Sequence, residues 1–330
     1  MGNGMSRRRT GLIAALAVAV LAAGTIVFGV LRGGGTDQAG SDSFCWGLLT
    51  REDVAAFSSH PAERYTENTN QFEDPSLSYC GVGPAGGGTE LSLDIKHVIG
   101  GDSIWRAADD IAAESPFRSP IAGVPGWVNA TYAGRLLPAS CARALGKGAW
   151  PYLQVHAGDR KNTAKDGVQQ QKLVHVLATA TTRLAAKLGC TAGQESTPPA
   201  DAPKLLEPRP LDPAAACGLP GFAPLASTDK PFQEYVTPGD FRLWSCSFGP
   251  AGDVHGLRNV TVTQDPEVLA MTDEDTSAQY GEARLTCGGK PTLLQLGRTD
   301  EAPPGDGPLR TDAEILAGFR DAVARQAHCT

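Results

Sequence analysis

Eight cysteines and six histidines are the residues in this chain whose chemistry is most distinctive. The cysteines are Cys45, Cys80, Cys141, Cys190, Cys217, Cys246, Cys287 and Cys329. Their number is even, and all follow the apolar N-terminal segment. In an oxidising compartment that pattern reads as four disulfides. A zinc site needs close pairs such as Cys-x2-Cys, because two ligands must come from one tight turn. The nearest two cysteines here, Cys217 and Cys246, stand 29 residues apart, so the spacing argues against metal.

The histidines, His60, His97, His156, His175, His255 and His328, are scattered. None sits in a His-Glu-x-x-His spacing. No Gly-x-Ser-x-Gly elbow marks a nucleophile. "GPAGGG" at Gly83–Gly88 lacks the Lys-Ser/Thr ending of a phosphate loop and reads as a turn. The acidic groups Asp109-Asp110 and Asp273-Glu274-Asp275 read as exposed charge rather than an acid–base pair. Asn129-Ala-Thr131 and Asn259-Val-Thr261 match the glycosylation sequon, a short pattern that is set aside. Trp46, Trp105, Trp127, Trp150 and Trp244 offer area for a ligand groove, though core packing is the ordinary use of tryptophan. Trp244, two residues from Cys246, is expected to cover a disulfide. No catalytic residue, cofactor site or metal site is assigned.

The elements that hold the cysteines repeat. "SLSYCGVGPAGG" around Cys80 returns as "RLWSCSFGPAGD" around Cys246. "YAGRLLPASC" before Cys141 returns as "YGEARLTC" before Cys287. "PYLQVHAGD" then corresponds to "PTLLQLGRTD". Each set of four closes on an amphipathic stretch ending in Cys-Thr, "LATATTRLAAKLGCT" and "LAGFRDAVARQAHCT". With "CWGLL" at Cys45 matched by "CGLPG" at Cys217, five landmarks in one order predict a tandem duplication of a four-cysteine domain, over 44–191 and 214–330.

Within each copy the pattern predicts α+β structure, an antiparallel sheet packed by helices. Thr50 caps a short helix with Asp53 as its reciprocal partner. Leu91, Leu93 and Ile95 alternate with polar residues, as do Val260 and Val262, so each stretch is a strand with one face on a core. Ile104, Ala107, Ala108 and Ile111 share one helical face. Asp265 caps a helix that has Pro266 at its first position. The last helix carries Leu316, Phe319, Val323 and Ala327 on one face, with Thr311 and Glu314 as a capping box. Leu177, Ala180, Leu184 and Leu188 match those positions in the first copy. The simplest cysteine pairing is sequential, Cys45–Cys80, Cys141–Cys190, Cys217–Cys246 and Cys287–Cys329, although four cysteines allow three pairings per copy. Loops of this size are stabilised by roughly 3.5–4 kcal/mol per bond in the chain-entropy picture.

The N-terminus carries the location. Arg7, Arg8 and Arg9 precede an uncharged run from Thr10 to Leu31, and about 20 apolar residues span a bilayer as a helix. The run is longer than the apolar region of a cleaved signal peptide, so residues 10–32 read as a signal anchor. By the positive-inside rule residues 1–9 form a cytoplasmic basic tail, and the rest faces outward. Residues 33–43 form a flexible tether and residues 192–213, with six prolines, a semi-rigid linker. Four of the 29 basic residues lie in or beside the anchor, which leaves the outer part more acidic than the chain's net −7. No basic cluster follows Arg9, which argues against a nucleic-acid partner.

"CWGLLTREDVAAF" followed by a strand cysteine resembles the opening of small exported lipoproteins of GC-rich Gram-positive bacteria. These are grouped as a domain of unknown function whose chains open on a cysteine followed by Leu-Leu-Thr. The resemblance covers the first copy best, since Cys217-Gly218-Leu219-Pro220 loses the Leu-Thr cap. "LAAGT" at Leu21–Thr25 has the outline of a lipobox, but Thr25 stands where the lipidated cysteine belongs. The resemblance implies a membrane-anchored, extracellular binding, sensing or accessory module, with an envelope component or another protein as partner. The alternative is a cell-envelope hydrolase with a dispersed triad.

Overall fold

The computed structural model describes residues 42–58, 60, 65–71, 77–98, 119–121, 124, 126–137, 140–141, 150–158, 168–190, 206–227, 229–252, 257–271, 281–298 and 308–330. The anchor, most of the tether, and the helix expected around Ile104–Ile111 lie outside these residues. Among the described residues no helix is long and apolar enough to cross a membrane.

The fold is α+β, with antiparallel sheets and few helices. A two-stranded ribbon of β1 (Ser43–Phe44) and β2 (Leu49–Thr50) opens the described part. The first large sheet contains β3 (Tyr65–Gln71), β4 (Leu77–Pro84), β5 (Leu91–Val98), β6 (Ser119–Pro120), β7 (Gly126–Val128), β8 (Tyr132–Leu136) and β9 (Trp150–Ala157). Its order is β3-β4-β5-β9-β8-β7-β6. The second contains β10 (Arg209–Pro210), β11 (Phe232–Val236), β12 (Leu243–Pro250), β13 (Arg258–Thr263), β14 (Glu282–Cys287) and β15 (Lys290–Arg298). Its order is β10-β11-β12-β13-β15-β14. Five strands therefore follow one route in both sheets: β3-β4-β5-β9-β8 and β11-β12-β13-β15-β14. Two sheet edges differ. β7 and β6 extend the first sheet beyond β8, and β10 lies outside β11.

The helices are α1 (Arg51–Ala55), α2 (Val168–Leu188), α3 (Pro266–Met271) and α4 (Asp312–Gln326). Both predicted capping boxes form. Thr50 and Asp53 exchange side-chain and backbone bonds at the start of α1, and Thr311 and Glu314 do so at α4. At α3 the Asp265 carboxylate accepts the Val268 N–H at 3.4 Å.

Alternation places Leu91, Leu93, Ile95, Leu153, Val155 and Ala157 on one face of the first sheet. Leu173, Leu177, Ala180 and Leu184 of α2 complete that core. In the second sheet Trp244, Phe248, Val260, Val262, Leu294 and Leu296 meet Ile315, Phe319, Ala322 and Val323 of α4. Each fully buried large apolar side chain here contributes about 1.5–3 kcal/mol. The helix face of α4 is rotated slightly from the expected one. Ile315 and Ala322 are buried, Leu316 is only partly so, and Ala327 is the C-cap. The reason is that a stripe of about 100° takes in i+3 as well as i+4 positions.

The linker expected at 192–213 ends earlier than its prolines suggest. Arg209 and Pro210 pair with Glu234 and Gln233 as an edge strand, and Leu211 is buried in the second core. Proline is tolerated at an edge, where its missing N–H breaks no ladder.

Candidate functional site

All eight cysteines pair in sequential order: Cys45–Cys80, Cys141–Cys190, Cys217–Cys246 and Cys287–Cys329. The first bond of each set joins a tight turn to the second strand of the shared route, β4 or β12. Cys45 and Trp46 have φ of 52° and 59°, and Cys217 and Gly218 have 62° and 70°. Two left-handed residues in succession accompany a cysteine whose buried N–H is met by a side chain instead of a ladder partner. That acceptor is a glutamate: Glu67 of β3 accepts the Cys45 N–H at 2.6 Å, and Glu234 of β11 accepts the Cys217 N–H at 2.6 Å. The register matches as well. Cys80 pairs with Thr69 and Cys246 with Val236, each two residues beyond its glutamate.

Cys45, Glu67 and Cys80 hold their sulfur and carboxylate atoms within 4.8 Å of one another, as do Cys217, Glu234 and Cys246. With the sulfurs joined covalently, neither group offers the thiolates that a metal would need.

The second bond of each set ties a helix end to another segment: Cys190 after α2 to Cys141 beyond the end of β8, and Cys329 after α4 to Cys287 in β14. Gly189 (φ 66°) and His328 (φ 51°) reverse the chain after α2 and α4. The Cys190 N–H reaches back to the Ala185 carbonyl at 3.0 Å, and the Cys329 N–H to Ala324 at 2.9 Å. This six-to-one bond is the Schellman termination.

The face of each sheet away from its core is polar, which the sequence reading missed. On the first sheet the register aligns Tyr79, Asp94, Gln154, Gly134 and Trp127 in one row. The next row holds Gly81, Ser92, His156 and Tyr132. Tyr132 and His156 stack with ring centroids 4.0 Å apart and planes within 8°. The Tyr152 ring occupies the space a side chain at Gly134 would need, and the Tyr79 hydroxyl lies over Gly81. Trp127, Gln154, Ser92 and Tyr152 are buried, while Tyr79, Asp94, Tyr132 and His156 are partly exposed. The floor is thus buried and polar, with an aromatic rim open to solvent.

The equivalent face of the second sheet keeps one of these groups. Gln295 takes the place of Gln154, each in a Leu-Gln-hydrophobic triplet and each buried. Around it stand Ser245, Thr261 and Glu282, then Ser247, Asn259 and Gly297. The Gln295 amide donates to Glu282. Among the described residues, Tyr235 opposite Ser247 is the one aromatic in these two rows, and it is buried rather than at a rim; neither row carries a histidine. Period-two alternation in β9 and β15 could have exposed the polar rows, because Tyr152, Gln154 and His156 occupy every second position.

The remaining histidines divide. His60 Nδ1 meets Glu90 Oε1 at 2.6 Å, which orients the imidazole. Ser58 stands nearby, but its hydroxyl is engaged by the His60 main chain, accepting the N–H at 2.9 Å. His175 is exposed on α2, and His328 is the left-handed residue beside Cys329. His97 lies in β5. His255, Trp105, Asp109-Asp110 and Asp273–Asp275 fall outside the described residues. Trp244 is buried in the core that also holds Cys217 and Cys246, and it stacks on Phe319 at 6.2 Å.

No family model, curated protein or solved structure matches the chain.

Proposed function

We propose that the chain is a membrane-anchored, extracellular, non-catalytic binding module of the cell envelope, built by duplication of one disulfide-tied unit. The duplication rests on the shared strand route, the paired glutamate–cysteine caps, the two Schellman cysteines and the Gln154–Gln295 equivalence. Four disulfides fit an oxidising setting outside the membrane. The uncharged run at 10–31 supplies the anchor.

The observation that carries the binding reading is the partly exposed aromatic rim of the first sheet, Tyr79, Tyr132 and His156, above a buried polar floor. Aromatic rims give contact area at little entropic cost, and the floor supplies hydrogen bonds. The second copy keeps the scaffold without that rim, as expected when a fold retains its core while its sites change. The partner is an envelope component or a membrane or extracellular protein. To test this, envelope fractions are titrated with the outer region, residues 42–330, and with Tyr132→Ala and His156→Ala. The proposal expects about tenfold weaker retention in the variants, with melting temperatures close to the parent. Equal retention by all three would remove the rim from the account.

The alternative, a hydrolase, is favoured by one observation, the carboxylate-oriented His60. It would require a nucleophile that reaches the imidazole, and the Ser58 hydroxyl is held by the main chain instead.

A further inference from the structure

The four disulfides fall into two chemical classes, and the division is the same in both sheets. Cys45, Cys80, Cys217 and Cys246 are all at most 2% exposed. A glutamate carboxylate oxygen stands within 4.8 Å of both sulfurs of each bond. In the other two bonds one residue is buried, Cys141 or Cys287, and its partner is only partly so. Cys190 and Cys329 are partly exposed at the helix ends, packed against the edges of their cores.

We infer that Cys190 and Cys329 are thiol-exchange sites, open to attack by a dithiol, while the glutamate-flanked pairs are inert. Exchange begins when a thiolate attacks a disulfide sulfur, so it requires a path to that sulfur. Cys190 and Cys329 offer one without unfolding. Attack on Cys190 Sγ forms a mixed disulfide there and releases Cys141 as a thiolate, which takes a proton from solvent. The second thiol of the dithiol then attacks the mixed disulfide. Cys190 leaves as a thiol and the reagent becomes a cyclic disulfide. Two electrons and two protons pass from the dithiol to the protein. Cys329 and Cys287 follow the same course.

At the other two bonds both steps are opposed. The incoming thiolate must enter a buried site beside a carboxylate, and the leaving thiolate would form beside that same carboxylate, whose charge at Cys217–Cys246 is shared with Arg209. The consequence of opening is specific. It frees the end of α2 from Cys141, or that of α4 from β14, and leaves the turn-to-strand bonds intact.

The test uses the folded, full-length chain with limiting dithiothreitol, timed alkylation and peptide mapping. Cys141, Cys190, Cys287 and Cys329 should be labelled roughly tenfold faster than Cys45, Cys80, Cys217 and Cys246. Circular dichroism should stay native during that first phase. Equal rates for all four bonds, the reverse order, or loss of structure in step with the first labelling would each overturn the inference. Glu67→Gln and Glu234→Gln give a second reading. They should speed opening of the bonds they flank and leave the Cys141–Cys190 rate unchanged. If neither flanked bond opens faster, the carboxylate has no part in the protection. The parent chain's order of labelling decides the exchange sites whether or not these variants fold.

Discussion

The backbone N–H of Cys217 donates to the Glu234 carboxylate at 2.6 Å, and Arg209 donates to the other oxygen of that carboxylate at 2.7 Å. One buried side chain thus joins the turn that carries Cys217 to the edge strand β10. Glu234→Ala leaves the Cys217 N–H buried without an acceptor and Arg209 without its ion pair. The N–H alone accounts for a loss of about 1–3 kcal/mol. Urea unfolding at neutral pH should show it as a lower midpoint with the slope unchanged. Arg209 is about half exposed, so Arg209→Ala should cost much less.

The two Schellman ends differ at the left-handed residue. Gly189 adopts φ 66° without a Cβ, whereas His328 adopts φ 51° with one. A non-glycine residue in this region is strained by roughly 1–2 kcal/mol. His328→Gly should therefore stabilise the chain by up to about 1 kcal/mol, after the added freedom of glycine in the unfolded state is counted. Gly189→Ala should destabilise it. Thermal unfolding of the two variants checks the opposite signs.

Two groups set expectations against pH. Thr311 hydrogen bonds hold the Glu314 carboxyl below its ordinary value, with Arg310 adding a smaller effect. A depressed folded value gives stability that is present above the unfolded value, near 4.5, and is lost as pH falls through the folded one. Thr311→Ala should weaken the acid limb of the stability curve. Burial raises the Tyr235 phenol above 10.0. That contribution is present below the unfolded value and is lost as pH rises through the folded one, because the phenolate is favoured in the unfolded chain. Tyr235→Phe should flatten the alkaline limb, measured by denaturant midpoints across pH 9 to about 11.

Much of the scaffold was legible because its signals are local. Thr50 with Asp53, and Thr311 with Glu314, are capping boxes written within four residues, and both form. Leu91, Leu93 and Ile95 declare a strand by alternation, and the repeated text around Cys80 and Cys246 marks equivalent strands. What escaped is non-local. Glu67 and Glu234 look like ordinary strand residues, and only the register places them two positions from the Cys80 and Cys246 partners. The stacked Tyr132–His156 pair depends on β8 pairing with β9 across a long connection, a pairing that periodicity does not specify. β10 escaped because proline-rich text reads as linker even when two of its residues join a sheet edge.

The location is tested by topology. A cysteine introduced as Gly34→Cys, just beyond the apolar run, should react with a membrane-impermeant thiol reagent on intact cells. Reaction only after lysis would place residues 33–330 inside and remove the envelope from the account.

The central claim, binding without turnover, is tested most directly by incubating the outer region with isolated envelope material and measuring two quantities in one sample. These are the protein retained and any soluble product released. The account predicts saturable retention that falls about tenfold in His156→Ala, with product release no faster than in buffer alone. Release of cleaved envelope fragments by the parent protein, abolished by His60→Ala, would contradict it.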